Sequence, residues 1–90
     1  MGEIERKGQR LLIGSAYQAR GYLLQVGEVV PNDPRTFDKA SHPPRLIQLQ
    51  KGEVCVALTA ECEDQLLAKV ERDGQVFACF LLPASYDVVA

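Results

Sequence analysis

The sequence predicts an α+β fold: a mostly antiparallel sheet of four to five strands with one amphipathic helix packed on a face. Three observations predict it. Residues 60–72 place apolar side chains on one side of a helical wheel. Residues 76–82, VFACFLL, form a run that is apolar on both faces. Two glycine turns, Lys51-Gly52 and Asp73-Gly74, separate apolar runs. Ninety residues make one domain. A composition of 47% hydrophobic and 24% charged residues argues for a folded chain.

In chain order, residues 1–8 are polar and expected to fray. Residues 10–13, RLLI, read as a short strand, with 18–21 as the turn to the next one. Residues 21–30, GYLLQVGEVV, read as that strand. Tyr22, Leu24, Val26 and Val30 share one face, and Leu23 and Val29 the other. Gly27 inside it suggests a bulge or a close backbone approach. Residues 31–45 hold four of the five prolines and form a long loop. Residues 46–58, LIQLQKGEVCVAL, read as a hairpin about Lys51-Gly52. Leu49 is then opposite Val54 and Ile47 opposite Val56, on one apolar face.

The helix over 60–72 has an arc of Ala60, Cys62, Leu66, Leu67 and Val70. Thr59 can cap it. Glu61, Glu63 and Asp64 come early and Lys69 and Arg72 late, the order that the helix dipole favours. Gly74 can close it. The alternative is an all-β small barrel with a 66–72/75–82 hairpin turned at Asp73-Gly74. Arg72 would then face Gln75, Val70 face Phe77, Ala68 face Cys79 and Leu66 face Leu81. In either reading the 76–82 strand has two apolar faces. Phe77, Cys79 and Leu81 form one; Val76, Ala78, Phe80 and Leu82 form the other. A helix covers one face, and the second calls for the N-terminal segment or another copy of the chain. Val76, Ala78, Phe80 and Leu82 are therefore the interface candidates. Pro83 ends the strand, and 85–90 is a tail or an added edge strand.

The net charge of −2 is uneven. Residues 1–52 hold eight basic and five acidic side chains, net +3; residues 53–90 hold two and seven, net −5. That split suits a basic part meeting an acidic partner. The arginines are sparse and no aromatic cluster accompanies them, which argues against nucleic acid as a partner. Cys55, Cys62 and Cys79 show no CxxC spacing, so neither disulfide nor metal is expected. No cofactor is expected. The charged N-terminus lacks a signal-peptide core, and no run reaches the roughly 18 apolar residues of a membrane span. A cytoplasmic protein with no membrane partner is the expectation.

No motif assigns an activity. His42 shares its loop with Asp33, Asp38 and Ser41, the residue types of a hydrolytic triad without its spacing. No catalytic residue is assigned. The leading expectation is a non-enzymatic protein-interaction or regulatory module acting as a homodimer, its partner a second copy or another protein. One alternative is a small-molecule-binding protein or minor enzyme with a pocket between the sheet and the 31–45 loop. Tyr22, Arg35, Phe37, Asp38 and His42 are the candidates for contact with a ligand or a partner, with Phe37 either pinning the loop or anchoring a partner. The other alternative is a weak nucleic-acid binder using the basic N-terminal half.

Overall fold

The computed structural model describes residues 2–89, so Met1 and Ala90 lie outside the described residues. Seven strands form one antiparallel sheet: β1 (Arg10–Ile13), β2 (Tyr17–Leu23), β3 (Pro44–Leu49), β4 (Val54–Ala57), β5 (Leu67–Arg72), β6 (Gln75–Phe80) and β7 (Tyr86–Val88). Their order in the sheet is β3-β2-β6-β5-β4-β1-β7. The only helices among the described residues are two single 3-10 turns, Pro34–Thr36 and Lys39–Ser41, in the loop between β2 and β3.

The α+β expectation is therefore corrected, and with it the helix over 60–72. Asp73-Gly74 decides against the helix. Both residues have positive φ, 54° and 77°, the pair of left-handed residues that a type I′ hairpin turn needs. Pairing runs Arg72 to Gln75, Val70 to Phe77 and Ala68 to Cys79. That is the register of the alternative hairpin, but the sheet does not close into a barrel. Burial outweighs helix propensity here. A helix would bury one stripe, whereas β5 buries Ala68 and Val70 on one face and Leu67 on the other.

Two of the acids expected to open a helix, Glu63 and Asp64, sit at the tip of a second tight turn, while Glu61 bridges to Ile4. Glu63 and Asp64 are also left-handed, and Cys62 and Gln65 exchange two backbone hydrogen bonds of 2.9 Å. Thr59 is wholly buried and caps nothing. Its hydroxyl donates to the Ala60 carbonyl (2.8 Å) and accepts from the Leu67 N–H (3.1 Å).

The hairpin expected over 46–58 is also corrected. Lys51-Gly52 does turn the chain, with the Glu53 N–H donating to the Gln50 carbonyl at 3.0 Å. However, β3 pairs with β2, while β4 pairs with β1 and β5. Three strands separate β3 from β4 in the sheet, yet one tight turn joins them. The sheet must therefore curl until these two strands approach. The Arg72 guanidinium holds the corner, donating to the Gln48 carbonyl (2.8 Å) and the Glu53 carboxylate (2.7 Å). The curl reverses the expected phase of β4: Cys55 and Ala57 point inward, and Val54 is exposed.

Gly21 lies inside β2, not in a turn. A methyl group there would stand 2.7 Å from Ile47 Cγ1 and 2.9 Å from Cys79 Sγ. Only glycine lets the side chains of β3 and β6 meet beneath β2. The interior also holds Leu11, Leu49, Leu66 and Phe77, all essentially inaccessible. The three cysteines are buried and free. Burial pushes Cys55 up to about 11 and Cys79 to about 12, so both pack as neutral thiols.

The segment expected to fray is tied to the body. Ile4 and Glu61 exchange hydrogen bonds of 2.9 Å, and the Gly8 N–H donates to the Ala57 carbonyl. At the other end β7 adds to β1 as an edge strand. The Tyr86 hydroxyl donates to Glu61 at 2.9 Å. Among the described residues, no helix is long and apolar enough to cross a membrane.

Candidate functional site

The outer face of the curled sheet divides into a sealed half and an open half. In the sealed half, Val30 and Phe37 lie over Tyr22, Leu67 and Ala78. The Phe37 ring stands 5.7 Å from that of Tyr22, and Tyr22 meets Phe80 edge-on at 6.0 Å. Such pairs add to the burial of their area. Phe37 therefore pins the loop. At Ala78 the second apolar face of the 76–82 strand is covered by the chain's own loop and not by a helix, whereas Val76 and Leu82 of that face stay uncovered. Phe37 fills the space above Tyr22 and Ala78, and what opens between sheet and loop is a depression of about 330 Å³ beside His42, lined also by Leu23, Leu24, Glu28 and Ser41.

The other loop residues hold this cover in place. The Asp33 carboxylate accepts from the Arg35 backbone N–H and from its guanidinium, at 2.8–2.9 Å. These bonds hold the Asp33 carboxyl down at about 2. Arg35 also reaches Glu63 at 3.2 Å, linking the loop to the 62–65 turn. His42 stacks on Phe37 with ring centroids 4.6 Å apart. Its Nδ1 lies 2.7 Å from the Asp38 carbonyl, and its Nε2 meets the Glu28 carboxylate. Both partners accept, so the imidazolium satisfies both. The Asp38 carbonyl, and then Glu28, raise the His42 pKa above the usual histidine range. The Gln25 N–H, and then His42, lower that of Glu28.

The loop thus brings His42, Asp38 and Ser41 together, but not as a triad. The Ser41 hydroxyl donates to the Asp38 carboxylate instead of bonding to His42. Neither ring nitrogen offers a lone pair to a nucleophile, as a general base must. Among the described residues, no group of three or more His, Cys, Asp or Glu is placed to hold a metal ion.

The open half is a groove of about 850 Å³ between residues 24–30 and the β5–β6 turn. The strand expected over 21–30 ends at Leu23. Beyond it, the Glu28 N–H donates to the Gln25 carbonyl (3.1 Å), and the Gln25 N–H donates to the Glu28 carboxylate (3.0 Å). Gly27, at φ 78°, permits this turn. The result places Val26 and Val29 in water, with relative exposures of 107% and 84%. Leu24, Leu58 and Val76 line the groove as well. So do Lys7 and Lys69, neither of which forms an ion pair among the described residues.

One cross-strand row, Val56, Lys69, Ala78 and Tyr22, runs from the open half into the sealed half. The four interface candidates consequently do not form one surface. Val76 lies in the groove and Ala78 is sealed. Phe80 is half-buried, with the Lys39 ammonium 5.2 Å from its ring centroid, and Leu82 is exposed beyond β6. Sequence reasoning missed Val26, Val29, Lys7 and Lys69 as site residues. The available signal was Gly27: read as a turn, it lifts the valines on either side out of the sheet. No protein-family model, curated protein or solved structure matches the chain.

Proposed function

We propose that the protein is a non-enzymatic binding module that docks a segment of a partner protein in the groove between residues 24–30 and the β5–β6 turn. The observation that supports this reading is the pair Val26 and Val29, held in water on an ordered turn. Fully burying a valine is worth roughly 1.5–3 kcal/mol. Two such contacts would supply a large share of the ~8 kcal/mol that micromolar affinity needs. The turn is also preorganised, since Glu28 is bonded to both Gln25 and His42. Preorganisation lowers the entropic cost of binding. The groove is open along its rim, which suits a chain segment better than a small molecule that must be mostly enclosed.

Peptides selected from a random display library against the intact chain test the reading. Amide chemical shifts of the labelled protein then locate the selected peptides. Shifts concentrated at Val26, Val29, Lys69 and Val76 are expected. Binders that instead map to the exposed edge of β3, or a library that yields none, would overturn it.

A further inference from the structure

We infer that the groove selects an acidic partner: an apolar segment whose carboxylates lie at Lys7 and Lys69. This rests on the docking reading and adds a chemical class to it. The two lysines come from distant elements, Lys7 from the N-terminal segment and Lys69 from the middle of β5, and they line the same groove. Elsewhere the basic side chains are mostly engaged. Arg6, Arg35, Arg45 and Arg72 each pair with an acid, and Lys39 lies over Phe80. The one acid lining the groove among the described residues, Glu28, is already held by His42 and the Gln25 N–H. Glu71, two residues along β5 from Lys69 and paired with Val76, lines not the groove but the neighbouring depression, which Lys69 also lines. The groove is therefore basic in a chain whose net charge is −2.

A basic segment docking here would bring like charge against two ammonium groups. A neutral one would desolvate them without a counter-charge. In an extended segment successive side chains point to opposite faces. Valines can then meet the apolar floor while carboxylates stand at the rim, within reach of the flexible lysine stems.

Three capped hexapeptides test the inference, each alternating valine with glutamate, serine or lysine. Each is titrated into the labelled protein at low and at high salt. The glutamate peptide is expected to bind in the groove roughly fivefold more tightly than the serine peptide, the gain of two exposed ion pairs. The lysine peptide should bind weakest, and the margin should shrink with salt. In the double variant Lys7→Glu/Lys69→Glu the order should invert. Both positions are exposed, so the variant's melting temperature should match the parent's. If glutamate and serine peptides bind the groove equally and the variant leaves the order unchanged, the acidic preference is overturned and the docking reading stands. If no peptide shifts Val26 or Val29, both are overturned. Groove shifts with decanoate alone would reassign the site to a small amphiphile and overturn both as well.

Discussion

Ala78 and Val76 are two residues apart on the same face of β6, yet one is sealed and the other lines an open groove. What differs is what lies above them. Over Ala78 sits the Phe37 ring, pinned by Tyr22 beneath and by stacking on His42. Over Val76 stands only the rim of the 24–30 turn. A loop with one aromatic plug has taken the place of a covering helix, and it reaches only half of the face. The halves are coupled, because His42 belongs to the sealing loop and its Nε2 holds Glu28 of the groove wall. The sealed half thus braces the open one.

The strongest way to break this contrast is Phe37→Ala. Removing a buried phenylalanine typically costs ~3–5 kcal/mol. For a domain of this size that lowers the melting temperature by more than about 10 °C. Urea denaturation should show the loss, and the Ala78 and Tyr22 amides should exchange faster in the variant. A cost below ~1 kcal/mol would mean that the loop does not seal the sheet.

The brace between the halves carries the next effect, and it depends on pH. His42→Gln is expected to cost about 1.5–3 kcal/mol, the scale of a hydrogen bond to a charged group. The folded-state His42 pKa is raised, so its contribution is fully present below the ordinary value of 6.5 and is lost as pH climbs through the raised value. The folded-state Glu28 pKa is lowered, so its contribution is present above the ordinary 4.5 and is lost as pH falls through the lowered value. The stability difference between parent and His42→Gln should be largest between 4.5 and 6.5 and should narrow on either side. Denaturation midpoints measured from pH 4 to pH 9 would show this, and a constant difference would refute the ionised pair.

Parts of this architecture were legible in the sequence, and the limit lies where local signals meet distant partners. RLLI at 10–13 is a strand within its expected bounds, because four apolar-rich residues between polar flanks have few alternatives. Asp73-Gly74 carried the β5–β6 register, but Ala, Glu, Leu and Lys at 60–72 are good helix formers and pulled the reading toward a helix. Whether that segment becomes a strand depends on β4 and β6 offering edges on either side, which no window of the sequence contains. Lys51-Gly52 was visible as a turn. The strands that it joins find other partners because the sheet curls, and Gly21, which permits close packing beneath β2, was itself read as a turn residue. At the site, Tyr22, Phe37, Asp38 and His42 do come together, but as a clamp; Arg35 instead ties the loop to the 62–65 turn. The groove escaped notice because the exposure of Val26 and Val29 follows from the turn at Gly27, not from their own chemistry.

The finest test sets two adjacent valines against each other. Val30 belongs to the sealed half and is 8% exposed, while Val29 belongs to the groove wall and is 84% exposed. Val30→Ala should cost about 1–2 kcal/mol through lost burial and the space left behind. Val29→Ser, alone or with Val26→Ser, should change stability by no more than ~0.5 kcal/mol, as surface substitutions usually do. The same serine variants should abolish the groove shifts caused by any peptide that binds the parent. Stability loss on Val29→Ser would mean that the turn packs against the body and that its valines are part of the fold. Unchanged stability with lost binding would mean that two neighbours in sequence divide the work, one closing the sheet and the other presented to a partner.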